Sequence, residues 1–139
     1  TIKMATTKIE ATNRELLEVF RGLESVKQIK GARFSVLVGK NLKELRHKLE
    51  PLEKAAEPTF EFQEVSVKMQ SLVEAQDADA MEKLEKDNET LIEERKAQLQ
   101  AVEDMLDEPT EAYLHMIKES QLPDEITGEH IERLLTIIQ

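Results

Sequence analysis

Two leucine-type ridges at heptad spacing, carried on oppositely charged stretches of one chain, constrain this sequence more than any other feature. The first is Val38, Leu42, Leu45, Leu49 and Leu52, in alternating steps of four and three. The second is Met81, Leu84, Leu91, Leu99, Val102 and Leu106, with Asn88 and Arg95 in the two seam slots that are not apolar. A helix with such a ridge buries it against another helix, so the spacing predicts a mainly α fold. Its centre is a long antiparallel helical hairpin or coiled coil, with short terminal helices and room for a small two-stranded β element.

Charge selects which rod meets which. Residues 1 to 54 carry twelve Lys/Arg against seven Asp/Glu, a net of +5, whereas residues 74 to 108 carry four against thirteen, a net of −9. An antiparallel arrangement sets the basic rod on the acidic one. Exposed pairs contribute at most about 1 kcal/mol each, so the apolar seam supplies the energy and charge supplies the register.

The chain of 139 residues has the length of one domain, expected to be elongated. Within it, residues 1 to 30 read as a strand plus a short helix, 31 to 108 as the long hairpin, and 109 to 139 as strand or loop plus a short helix. Aromatics make up 4 % and Trp is absent, so Leu, Ile, Val and Met must build the core. That favours a thin helical body over a globule with a deep pocket. The absence of cysteine removes disulfides and thiolate chemistry. No stretch approaches the roughly 18 apolar residues of a membrane span, so a soluble protein without membrane contact is expected. A formal charge of −10 disfavours nonspecific nucleic-acid binding, which needs a concentrated basic face.

Local signals place the elements. Ile2, Met4, Thr6, Thr7 and Ile9 are β-branched enough for a short strand. Thr12 and Glu15 form a capping box ahead of Leu16, Leu17, Phe20 and Leu23, with Gly22 a weak point of that helix. A second helix is predicted from Ala32 to Glu57 with a kink before Pro51, a third segment becomes helical from Gln63, and a continuous helix spans Ala78 to Asp107. The run from Ala112 to Lys118 reads as a continuing helix or as a strand, the strand being favoured because the first strand otherwise has no partner. Thr127 caps a last helix whose buried face is expected to be Ile131, Leu134, Leu135 and Ile138.

Catalytic signals are weak. His47, His115 and His130 sit in three different elements without a ligand spacing, and no metal or cofactor is expected. The serines lack a Gly-x-Ser-x-Gly elbow, and Gly39-Lys40 has no preceding glycine at phosphate-loop spacing. The acids of the second rod, such as Glu93, Glu94, Glu103 and Asp104, belong to a solvated face, whereas acid/base carboxylates need unlike environments. Asn88 reads either as a buried amide fixing register or as a solvent-facing residue, and Arg95 as solvent-facing. Phe20, Phe34, Phe60, Phe62 and Tyr113 read as core plugs at element ends, since they do not interleave with a basic cluster. A non-enzymatic protein follows.

The strings Thr12-Asn13-Arg14-Glu15-Leu16-Leu17, Gly31-Ala32-Arg33-Phe34, Lys40-Asn41-Leu42 and Leu122-Pro123-Asp124-Glu125-Ile126-Thr127 resemble a group of small proteins encoded by tailed bacteriophages and prophages. The resemblance implies a viral setting, in the cytoplasm of an infected bacterium or in the virion, and brings no assigned activity with it. The expected role is contact with protein: a homo-oligomer, another protein, or both, as a virion or assembly component or as an inhibitor of a host protein. The interface residues would be Val38, Leu42, Leu45, Leu49, Leu52, Leu84, Asn88, Leu91, Leu99, Val102, Ile131 and Leu135, with further apolar surface between Phe60 and Val73. A competing expectation is an oligomer that sequesters an anionic small molecule, such as a nucleotide signal, on Arg14, Arg21, Lys27, Lys30 and Arg33.

Overall fold

The computed structural model describes residues 5 to 139, which are mainly helical with one two-stranded antiparallel sheet. In chain order the elements are β1 (Thr7–Thr12), α1 (Asn13–Val26), α2 (Ala32–Ala56), α3 (Phe60–Glu74), α4 (Ala78–Asp87), α5 (Glu89–Leu106), β2 (Pro109–Leu114) and α6 (Gly128–Leu134), with 3₁₀ turns at Glu119–Gln121 and Leu135–Ile137. They form two compact units, Thr1–Pro51 with Met105–Gln139 and Leu52–Asp104.

In the first unit, β1 and β2 pair from Thr7 opposite Leu114 to Thr12 opposite Pro109. Proline at the first residue of a strand removes no interior ladder bond. Alternation turns Ala112 and Leu114 inward, while Glu10 and Glu111 lie directly opposite each other on the outer face. Lys8 offsets that like-charge pair, with Nζ 3.1 Å from Glu111 and 3.4 Å from Glu10, and Glu111 holds the Lys8 ammonium above its ordinary pKa. Both strands were expected from the sequence, the second three residues further on; Ile2 and Met4, part of the expected first strand, lie outside the described residues.

The Thr12 capping box forms as the spacing predicts: Thr12 Oγ1 accepts from the Glu15 N–H at 3.2 Å, and Glu15 accepts from the Thr12 N–H. Leu16, Val19, Leu23 and Val26 then bury one face of α1. Gly22 is no weak point. A Cβ there would stand 2.9 Å from Arg133 Cβ and 3.0 Å from Leu134 Cδ2, so the bare backbone is what lets α6 cross α1. The backbone of Gly31, ahead of α2, has φ +146, a conformation that suits glycine. The first ridge lies along α2, and Val38, Leu42, Leu45 and Leu49 are buried with Phe34 and Leu37.

The C-terminal tail closes this core. Ile117 N–H donates to the Ile137 carbonyl at 2.7 Å and Gln139 N–H to the Ile117 carbonyl at 2.8 Å, a short parallel bridge. The buried residues are Leu134 and Ile137, whereas Leu135 is 61 % exposed, Ile131 is half-buried, and Ile138 is also only partly covered. The expected apolar face assumed 3.6 residues per turn to the end. Because the chain tightens to a 3₁₀ turn after Leu134, residues three apart share a face and Leu135 points away.

In the second unit, α3 starts at the Thr59 cap, whose hydroxyl accepts from the Phe62 N–H at 3.2 Å, and packs against α4. Between them the Asp77 N–H donates to the Leu72 carbonyl and the Gln76 N–H to the Val73 carbonyl, with Gln76 at φ 56. These two hydrogen bonds close a helix end of the Schellman type, which ordinarily carries glycine at the left-handed position. The continuous helix expected from Ala78 to Asp107 is interrupted at Asn88 (φ −121, ψ 25), which separates α4 from α5. Asn88 Nδ2 donates to the Leu84 carbonyl at 2.9 Å beside the Asn88 N–H at 3.2 Å, so within the chain the amide is spent on the backbone where α4 ends.

Candidate interaction surface

The two units differ in what they bury. All the buried apolar side chains but Leu52 belong to the first unit, and α3, α4 and α5 hold no buried residue. The two ridges therefore part company. Leu52 is 8 % exposed, whereas Leu84, Leu91 and Val102 are half-buried and Leu99 is 44 % exposed.

What α3 to α5 leave open is a groove of about 910 Å³. Phe62, Val65, Met69 and Val73 line it from α3 and Ile92 from α5, while Glu85 and Lys86 of α4 and Glu89, Glu93 and Lys96 of α5 form the charged side. The α3 residues recur at steps of three and four, so one helical face supplies them all. Phe60 and Val67 are 70 % and 66 % exposed on α3, so that helix is apolar beyond the face toward α4. Phe60 and Tyr113 are consequently not core plugs, the latter standing outward on β2 at 52 % exposure; only Phe34 is fully buried.

Arg95 departs from the expectation that it faces solvent. Its Nη1 donates at 2.8 Å to the Ala56 carbonyl at the end of α2 and to Gln98 Oε1, and its guanidinium lies 5.6 Å from the Phe62 ring centre. Gln98 Nε2 donates to the carbonyls of Ala55 and Glu57 at 2.8 and 2.7 Å. The two side chains thus satisfy carbonyls that the end of a helix leaves orphaned, and a cation there also complements the helix dipole. A seam slot that reads as a defect in the heptad is a C-terminal clamp on another helix.

Three of the five basic residues expected around an anion pair with carboxylates. Arg14 Nε stands 3.1 Å from Asp107, Arg21 pairs with Glu18 at 3.3 Å, and Lys27 with Glu24 at 2.7 Å; Lys30 and Arg33 are exposed beyond the end of α1. None of the five lines the groove of the second unit.

The histidines remain apart. His47 is exposed on α2, and His130 completes the cap of α6, its Nδ1 accepting from the Thr127 N–H at 3.3 Å. His115 is buried, with Nδ1 lacking a protein hydrogen-bond partner. Its backbone is held by Asn41, fully buried on α2: Nδ2 donates to the His115 carbonyl at 2.8 Å and Oδ1 accepts from the His115 N–H at 2.7 Å. This fork satisfies both backbone groups of the residue that follows β2. Among the described residues no group of three His, Asp or Glu side chains is placed to hold a metal ion, and no helix is long and apolar enough to cross a membrane.

No protein-family model, curated protein or solved structure matches this chain significantly.

Proposed function

We propose that this protein acts without catalysis, through protein contacts, and that the groove of the second unit is its docking surface. The observation that supports the reading is the contrast in burial. A helical unit ordinarily covers its apolar face, and exposed apolar surface rimmed by charge marks an interaction site. Here Phe62, Val65, Met69 and Ile92 line the groove only half-buried and Val73 lines it at 55 % exposure, while the other unit has a closed core. The likeness to small phage proteins suggests an assembly component or an inhibitor of a host protein as the setting.

The test uses the folded protein and an environment-sensitive apolar dye such as anilinonaphthalene sulfonate. An available groove makes the native protein enhance the dye's fluorescence, and Met69→Glu with Ile92→Glu removes the enhancement while far-UV circular dichroism is unchanged. Native protein that leaves the dye dark, or a double variant that binds it equally well, would rule out the groove as a docking surface. Light scattering on the same samples reports whether self-association uses this face.

A further inference from the structure

Resting on that docking reading, we infer that the groove's occupant is a basic amphipathic helix of another protein, with its apolar face on α3 and its Lys/Arg flank on the acids of α4 and α5. Three features of the second unit specify this partner.

The first is shape. The α3 wall from Phe62 to Val73 is about 17 Å long at 1.5 Å per residue, which matches three turns of a helix. A helix presents apolar anchors at i, i+3 or i+4, and i+7, the spacing of the side chains that line this wall.

The second is local charge. Lys86 is paired with Glu82 at 3.3 Å and Lys96 with Glu93 at 3.4 Å, so the groove's own lysines are engaged. Glu85 and Glu89 line the same side, four positions apart across the Asn88 break, and form no ion pair among the described residues. Both acids line one side of the groove without a countercharge, so a cation laid over them gains attraction as it docks.

The third is the charge of the whole unit. Residues 52 to 104 carry fifteen Asp/Glu and six Lys/Arg, a net of −9. A second copy seated through the same groove would bring −9 against −9, an arrangement that costs affinity and slows encounter, whereas a basic helix is attracted and steered. Charge therefore disfavours a second copy seated groove to groove and favours a basic partner.

The experiment uses the full chain and three labelled peptides of about eighteen residues, long enough for the groove. One has leucines on one helical face and lysines on the other, the second replaces every lysine by glutamate, and the third shuffles the leucine/lysine peptide so that it has no apolar face. The expected result by fluorescence anisotropy at physiological salt is binding of the first peptide only. That binding weakens as salt rises, and falls by about tenfold or more with Glu85→Lys/Glu89→Lys and separately with Met69→Asp, all variants keeping wild-type helicity.

Equal or tighter binding of the leucine/glutamate peptide overturns the basic-partner inference and leaves the docking reading standing. Equal binding of the shuffled peptide, or indifference to Met69→Asp, overturns it by showing charge attraction without the groove. A dimer in light scattering that Met69→Asp dissociates assigns the groove to a second copy and also overturns it. Failure of every peptide, together with a dark dye, removes the docking reading as well.

Discussion

Asn41 carries more of the first unit's integrity than its type suggests, because its amide satisfies both backbone groups of His115 where no strand or helix can. Replacing it by leucine keeps the volume and strands a buried N–H and a buried carbonyl, each worth about 1–3 kcal/mol. Asn41→Leu should therefore lower stability by about 2–4 kcal/mol in urea melts. His115→Leu keeps the backbone fork and removes a ring nitrogen without a partner, so it should change stability by less than about 1 kcal/mol. Equal losses from both would mean that the imidazole and not the amide fork matters. Gly22→Ala forces a Cβ against the Cβ of Arg133, near the α6 backbone, and should cost about 1–3 kcal/mol by thermal unfolding. A neutral effect would show that α6 can retreat from α1. Neither role was legible from the sequence: Gly22 looked like a helix fault and Asn41 one polar residue in a basic stretch. The partner of Asn41 lies 74 positions away, whereas the Thr12 and Thr127 caps were readable because both halves of each sit within one turn.

Between α1 and α2 the contact is partly electrostatic. Arg46 Nη2 stands 2.8 Å from Glu24, its guanidinium lies 5.9 Å from the Phe20 ring centre, and Lys27 approaches the same carboxylate at 2.7 Å. These partners, Lys27 foremost, hold the Glu24 carboxyl below its ordinary pKa. A carboxyl whose pKa is lower in the folded chain stabilises above its unfolded pKa and loses that contribution as pH falls through the folded one. Glu24→Gln should accordingly be less stable than wild type at neutral pH, and the gap should close on acidification below about 4. A gap independent of pH would assign Glu24 a packing role alone. The basic α2 thus finds an acid on its sequence neighbour α1. Helix positions were readable to within a few residues for α1, α2 and α6 from caps and ridges. The break at Asn88 and the 3₁₀ turn after Leu134 were not, since both depend on backbone competition that a uniform 3.6-residue period hides.

Two units with unlike interiors account for the rest. The first ridge and the α1 face are consumed in one core, and Leu134 and Ile137 of the apolar tail are buried there, which takes those two out of any interface while Leu135 stays exposed. The second ridge stays half covered, which the heptad pattern could not reveal, because apolar spacing reports that a face wants burial and not whether the chain itself provides it. Stability should follow the same division, since helices without buried side chains open at lower cost than those that share a core. Hydrogen exchange read by mass spectrometry, on protein shown by light scattering to be monomeric, measures that division. The account predicts slow exchange in α1, the Phe34 to Leu49 stretch of α2, and β2, with exchange in α3 and α4 faster by at least about two orders of magnitude. Uniform protection of both units in the monomer would contradict it, for it would mean that the groove's helices are as firmly closed as the core and have no face to offer a partner.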